Sequence, residues 1–540
     1  MSIAPQILDT LESHRARSPE LRVHSRAAER AAPRDSLPAR AIVTSFRFRP
    51  SADDIHGGQD GFVHGLVKAL TRAGVAVDVL TFRGRDDPRE ARVDGARVHF
   101  LETEFSRSLT AHEAHQGGTW RLLEVMAAYA SAVERALPPL RARDGGQPLV
   151  ILSQDVGEAR WVRSARRAGD RIVTFAHVLF SEFALHDLTL GEFRRMNDAA
   201  HFPLHVRALA RVLLDERGAT RTLETVSRLL LKTELIGFIP GAARAALEGE
   251  RAAFVEAQRV LLPSAAMRDK VLARYGRRDA EEALQVAPWG IELDPVAPDR
   301  VRALAQELGI GPEDRVLVTM SRLSPDKRID ALLSALARID SGDPALARRV
   351  VAVICGRPTF LDDREYEQRL QVQARSLKHV RVRFAGYQRG ELRTAHLDLA
   401  AGGRGRFVQV GRYEAFGLGI AEALSRGAAA ITSDTDGARA ILDPADCVAA
   451  DDAACIVGEP ADEPFDAALA RAIVRELGRS APEASPAAKR VARRFTWEGT
   501  IEAVVRAVSE ITPPRADDRV RWGSPRASAV WALRRARLAR

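Results

Sequence analysis

Cysteine is almost missing from this chain of 540 residues: Cys355, Cys447 and Cys455 make up the whole set. They form no C-x-x-C pair and no Cys/His cluster at zinc spacing, so a disulfide framework and a structural zinc site are both excluded. Cys355 closes the apolar run Val350-Val351-Ala352-Val353-Ile354, which fits a buried strand thiol in a reducing, cytoplasmic setting. No apolar run approaches the ~18 residues that a membrane-crossing helix needs. Residues 1–39 are rich in Arg, Ala, Glu and Ser and lack the apolar stretch of a secretory signal, so they read as a flexible leader. Lysine is scarce as well, with six Lys (68, 232, 270, 327, 378 and 489) against 75 Arg. Any single Lys in a cleft loop therefore stands out.

The net charge is +9, which raises the question of nucleic acid. From Arg515 to Arg540 there are eight Arg against Asp517 and Asp518, or 8 − 2 = +6. The body of the chain is thus nearly neutral, and no nucleic-acid partner is expected. The basic tail, 512–540, is either a solvated end or an amphipathic segment (Trp531, Leu533 and Leu538 among Arg534, Arg535 and Arg537) that makes weak contact with an anionic membrane surface. Liposome flotation with and without residues 515–540 separates the two.

What the chain does have is alternation. Apolar, β-branched runs of four to seven residues take turns with helix-length amphipathic stretches, the pattern of parallel sheets covered by helices. Strands are predicted at Ala41–Phe46, Val75–Phe82, Arg97–Leu101, Leu149–Leu152, Arg171–Phe175 and Arg259–Leu262 in the first half. In the second half they fall at Arg315–Met320, Val350–Cys355, Val380–Phe384, Arg406–Val410 and Ala428–Thr432. The segment Ala287-Pro288-Trp289-Gly290-Ile291-Glu292-Leu293-Asp294-Pro295 breaks both periodicities. The expected fold class is therefore α/β, with two Rossmann-like domains, 40–295 and 296–495, facing each other across a cleft at the carboxyl ends of their strands. Residues 180–250 interrupt the rhythm and read as a helical insertion in the first domain. Its His186, His201 and His205 lack metal-ligand spacing.

Three groups of residues carry chemistry. Ser321-Arg322-Leu323-Ser324-Pro325-Asp326-Lys327 joins a strand to a helix at the cleft mouth. There, Arg322 offers a fork of donors and Lys327 a mobile point charge for a diphosphate. Glu414 and Glu422, eight apart around Phe416-Gly417-Leu418, straddle a loop and the first turns of a helix. Two carboxylates so placed can address different ends of one ligand, and the helix start adds backbone N–H groups. Finally, His56-Gly57-Gly58-Gln59 follows the first strand, where paired glycines permit close backbone approach to a phosphate or sugar. Asp434-Thr435-Asp436 follows a late strand and reads as a loop, not as a metal-binding D-x-D.

With these motifs in view, the second half resembles the retaining GT-B glycosyltransferases of the large family that includes sucrose-phosphate synthase and sucrose synthase. The likeness lies at Ser321–Lys327, Gly386–Tyr387, Arg404–Glu422 and Phe495-Thr496-Trp497-Glu498. It is looser in the first half, at Gly57-Gly58, Thr174-Phe175-Ala176-His177 and Pro288-Trp289-Gly290-Ile291. The resemblance implies that Arg322 and Lys327 hold the donor diphosphate and that Glu422 accepts from the ribose. It implies that Glu414 and the backbone of Phe416, Gly417 and Leu418 address the donor sugar. Gly58 would touch the donor from the opposite domain, His177 would stand beside the reacting sugar, and residues 496–511 would return to the first domain. Ala415 departs from the family, which usually has Pro there, and Ser433-Asp434-Thr435-Asp436-Gly437-Ala438 stands where Gly-Gly and Glu are common. The implied activity is hexosyl transfer from a nucleotide sugar to a sugar, sugar phosphate or other small acceptor. The nucleotide sugar is a co-substrate, and neither a cofactor nor a metal is called for. The alternative is a catalytically silent scaffold of the same fold that binds a partner.

Overall fold

The computed structural model describes residues 37–50, 58–116, 119–154, 156–179, 241–275, 280–359, 363–401, 403–442, 454–458, 462–479 and 486–511. The leader, most of the 180–250 insertion with its three histidines, His56-Gly57 and the basic tail lie outside them.

Two sheets organise these residues. The first contains β1 (Arg40–Thr44), β2 (Ala76–Phe82), β3 (Glu90–Val93), β4 (Ala96–Leu101), β5 (Val150–Ser153), β6 (Arg171–Phe175), β7 (Arg259–Leu262) and β8 (Leu284–Val286), in the order β3-β4-β2-β1-β5-β6-β7-β8. The second contains β9 (Arg315–Met320), β10 (Val350–Cys355), β11 (Arg381–Gly386), β12 (Gly405–Gln409), β13 (Ala430–Ser433) and β14 (Ala454–Val457), in the order β11-β10-β9-β12-β13-β14. All pairs are parallel except the β3–β4 hairpin. Buried on both faces, such strands need unbroken apolar sequence, and β5 and β10 are buried along their whole length. Cys355 ends β10 fully buried, and burial pushes its thiol upward.

Helices cover both sheets through narrow apolar stripes. Helix α1 (Gly58–Arg72) buries Phe62, Val63, Leu66, Val67 and Leu70, the spacing of one helical face. Around it stand α2 (Thr119–Arg143), α3 (Gly241–Val255) and α4 (Ala265–Tyr275). The second sheet carries α5 (Ile329–Gly342), α6 (Gly390–Ala401), α7 (Leu418–Ser425), α8 (Asp436–Ile441) and α9 (Pro486–Arg494). Among the described residues no helix is long and apolar enough to cross a membrane.

The strand order reverses between β1 and β5 in one sheet and between β9 and β12 in the other. In open α/β sheets these are the points where a crevice opens at the carboxyl ends. The two sheets share an aromatic seam: Phe62 lies 4.6 Å from Trp289, Trp289 lies 5.6 Å from Phe416, and Phe416 lies 5.2 Å from Phe495 (ring centroids). The last helix among the described residues, α10 (Trp497–Ser509), follows the second sheet in sequence yet packs on the first. Its N-cap Thr496 accepts from Gly499, Thr500 accepts from Gly290 N at 2.8 Å, and Trp497 sits 5.2 Å from Phe62. Gly65 and Gly290 leave the room this needs, since a Cβ on either would overlap the Trp497 ring.

Candidate active site at the interdomain cleft

The loop after β9 turns through a short 3-10 helix, Pro325–Lys327, and Arg328 takes a left-handed conformation (φ 52°) to start α5. Arg412 N donates to Asp326 O at 2.8 Å, which ties this loop to the one after β12. Both loops sit at the β9/β12 reversal. Lys327 Nζ donates to Glu414 Oε1 at 2.5 Å and stands 3.6 Å from Asp326. Gln409 Nε2 donates to the same Glu414 oxygen at 2.8 Å, and Arg322 pairs with Asp326 at 3.3 Å. Burial acts against the charge on Lys327, but Glu414 and Asp326 prevail and hold it above the usual ammonium range. Burial likewise opposes ionisation of Asp326, yet Arg322 and Lys327 hold its carboxyl below the usual range. The sequence reading aims both cations at a ligand; the structure shows them also engaged with carboxylates of the protein, one of them Glu414 itself.

Helix α7 begins at Gly417, whose φ of 83° suits a residue without Cβ. Glu422 is 3% exposed on this helix and bonds to Arg393 from α6. Burial pushes its carboxyl up, and Arg393 works against that shift. Nearby, Arg357 at the end of β10 stacks over Tyr387, 4.7 Å from the ring centroid. Burial raises the Tyr387 hydroxyl, and the charges of Arg393, Arg357, Asp60 and Glu422 all act on it. Tyr387 thus lies within the field of both Glu422 and the first domain's Asp60.

From the other side, Gly58 opens α1 opposite the start of α7: a Cβ built on it would lie 3.6 Å from Leu418 Cδ2. His177 follows β6 and is 5% exposed. Its Nε2 lies 2.9 Å from Gln154 Oε1, and its ring packs edge-on against Trp289 (4.3 Å) and Phe62 (4.9 Å). Burial lowers it to about 3. Because Gln154 Oε1 can only accept, His177 donates through Nε2, leaving Nδ1 as an acceptor with no partner among the described residues. Phe416 points into the aromatic seam, so its backbone and not its ring borders the loop.

The structure thus brings Arg322, Lys327 and Glu414 into one network and sets Gly58 and Leu418 face to face, with Glu422 one turn further along α7. Sequence reasoning missed Gln154, Gln409, Arg393 and the Arg357–Tyr387 stack. Gln154 follows strand β5 and Gln409 closes β12, the positions a switch-point argument singles out. Arg393 gives no signal among 75 arginines. Asp434 and Asp436, the D-x-D look-alike, are taken by Arg439 (2.5 Å) and Lys270 (2.5 Å). A separate cavity of about 710 Å³ lies between β8 and α10, lined by Arg259, Gln285, Pro288 and Glu502 among others, and shares no residue with this network.

The family described as Glycosyl transferases group 1 matches residues 301–476, the span that holds Arg322, Lys327, Glu414 and Glu422. Curated relatives include the D-inositol 3-phosphate glycosyltransferases of Geodermatophilus obscurus, 34% identical over 116 residues (22% of this chain, 25% of the relative), and of Salinispora tropica, 29% identical over 203 residues (36% and 40%). The first of these alignments spans a quarter of the relative's length. Among solved structures, sucrose-phosphate synthase from Thermosynechococcus elongatus superposes with a TM-score of 0.60 at 20% identity, covering 86% of this chain and 97% of that one. The trehalose-6-phosphate synthase OtsA does so with a TM-score of 0.59 at 13% identity, covering 88% and 100%. HepE of Anabaena, in complex with UDP and glucose, gives 0.53 at 17% identity, covering 87% and 99%. The fold of the chain is GT-B.

Proposed function

We propose that this protein is a retaining glycosyltransferase that moves a hexosyl group from a nucleotide sugar, a UDP-sugar by preference, to a hydroxyl of a sugar, sugar phosphate or other small acceptor. One observation carries the reading: Lys327 and Glu414, from loops at the β9/β12 switch point, bond directly to each other, and the first domain presents Gly58 to Leu418 at the start of α7. A diphosphate entering there meets Arg322, Lys327 and the N-terminus of α7. Glu422 accepts from the ribose, and Tyr387 with Arg357 offers a flat face to the base. Cations and helix dipole supply the charge that a divalent ion supplies in other sites, so the reaction is proposed to be independent of metal.

The bond from the anomeric carbon to the diphosphate oxygen breaks as the acceptor oxygen joins the same face of that carbon. The acceptor proton passes to the departing phosphate oxygen. Neutral His177, with its Nδ1 lone pair, accepts from a sugar hydroxyl, and Glu414 orients the ring. The acceptor binds on the first domain, and the reaction takes place in the cytoplasm.

Steady-state release of UDP, GDP or ADP from the matching sugar nucleotides, followed by NMR assignment of the product anomer, tests this. An inverted anomer overturns retention. Arg322→Ala, Lys327→Ala and Glu422→Ala should each lower turnover by about 10²–10³, and wild-type turnover in any of them removes that residue from the site. A wild-type protein inert toward every donor and acceptor would leave the scaffold reading.

A further inference from the structure

Glu414 is held from both sides by residues anchored in the other domain. On its N-terminal side, Tyr413 Oη accepts from Leu179 N of the first domain at 3.4 Å, and Lys270 Nζ on α4 lies 6.0 Å from the Tyr413 ring centroid. Beyond it, Ala415 is 6% exposed and packs within an apolar cluster otherwise drawn from the first domain, including Ala176 and Leu179. A third tie runs through α8. Lys270 Nζ bonds Asp436 Oδ2 at 2.5 Å, and the next residue, Gly437, donates its N–H to the Glu414 carbonyl at 2.7 Å. Gly437 can come this close only without a side chain, since a Cβ would lie 2.5 Å from the carbonyl carbon and oxygen of Phe416. Lys270 therefore acts on both ends of the support: its charge lies over the ring of Tyr413, the residue before Glu414, and it bonds Asp436, the residue before the donor to the Glu414 backbone.

We propose that Lys270 is a positioning residue that couples docking of the first domain to the placement of Glu414 between Lys327 and Gln409. It touches no reacting atom itself. The diphosphate and ribose contacts proposed above all belong to the second domain. Losing Lys270 should thus spare nucleotide binding and slow transfer. This inference rests on the proposed reading of Glu414 as a donor-sugar contact, and its test separates the two.

In Lys270→Met, kcat should fall at least about tenfold, within the usual range of coupling between sites, while the calorimetric Kd for UDP stays within about twofold of wild type. Hydrogen–deuterium exchange in the peptide 411–418 should rise about tenfold, with strands β9 and β10 unchanged. Lys270→Arg should restore most of the rate, and the exchanged pair Lys270→Asp with Asp436→Lys should recover more than either single change. Asp436→Asn serves as the second probe should Lys270→Met fold poorly. Wild-type kcat with unchanged exchange in 411–418 overturns the proposal. So does a matched loss of UDP affinity and rate with exchange raised throughout, which marks a purely structural role. Should the wild-type protein transfer no sugar at all, the exchange comparison still decides, and an unchanged 411–418 peptide overturns the coupling.

Discussion

Burial leaves His177 neutral at every pH at which such a protein is handled, because protonation is postponed to about 3. The unfolded chain titrates near ~6.5 and takes up its proton first. Below that value the unfolded state binds more protons than the native one, so stability falls as pH drops from about 6.5 toward 3 and is flat above. His64, lowered by its own burial to about 4, acts in the same sense. We expect urea midpoints to decline between pH 7 and pH 4.5, and His177→Gln to flatten part of that slope. An identical slope in the variant would contradict the burial argument. Burial also disfavours the charge on Glu422, which depends on Arg393. Arg393→Met should cost at least the ~1–3 kcal/mol of stranding a buried polar group and less than the ~3–5 kcal/mol of breaking an enclosed ion pair, because Arg393 is itself 30% exposed. Denaturant titration at pH 7.5 reads it. At this scale the sequence displayed the charges but not their partners. The spacing of Glu414 and Glu422 and the rarity of Lys327 were visible, whereas the bonds to Lys327 and Arg393 join residues that only the fold brings together.

Among the elements, the fit of Trp497 between Gly65 and Gly290 is the most sensitive junction. Gly65→Ala forces the indole or α1 to move, and overpacking of this kind costs about 1–3 kcal/mol. Differential scanning should show a lower Tm for Gly65→Ala and a smaller loss for Gly61→Ala, where a Cβ meets nothing within 4 Å. Equal shifts would remove the wedge from the account. Elements were legible in the sequence in proportion to their apolar length. Arg171–Phe175, Arg259–Leu262, Arg315–Met320 and Val350–Cys355 are strands to the residue, because fully buried parallel strands carry unbroken apolar runs. The short β3, β8 and β14 were not anticipated. Strand β3 alternates exposed and half-buried residues at a sheet edge, and its one signal is the Asp94-Gly95 turn (φ 48° and 85°) that closes the hairpin with β4. After β5 a 3-10 turn, Ala159–Trp161, runs into an α-helix, Val162–Arg167.

Across the whole molecule each domain keeps an apolar cluster of its own on one face of its sheet, and the other faces share one. One apolar cluster runs from Val79 and Phe62 in the first domain through Trp289, Phe416 and Phe495 to Val353 in the second. Interlocked cores of this kind unfold together, so scanning calorimetry should record one transition whose calorimetric and van't Hoff enthalpies agree. Two resolved peaks would show domains that melt independently. The placement of α10 adds a consequence for synthesis. The first sheet is complete in sequence by Val286, yet Trp497 and Thr500, which cover its α1 face and secure Gly290, arrive more than 200 residues later. At translation speeds of roughly 5–20 residues per second, a nascent first half waits on the order of ten seconds or longer with that patch uncovered. During this interval it is a natural client for chaperones that hold exposed apolar surface.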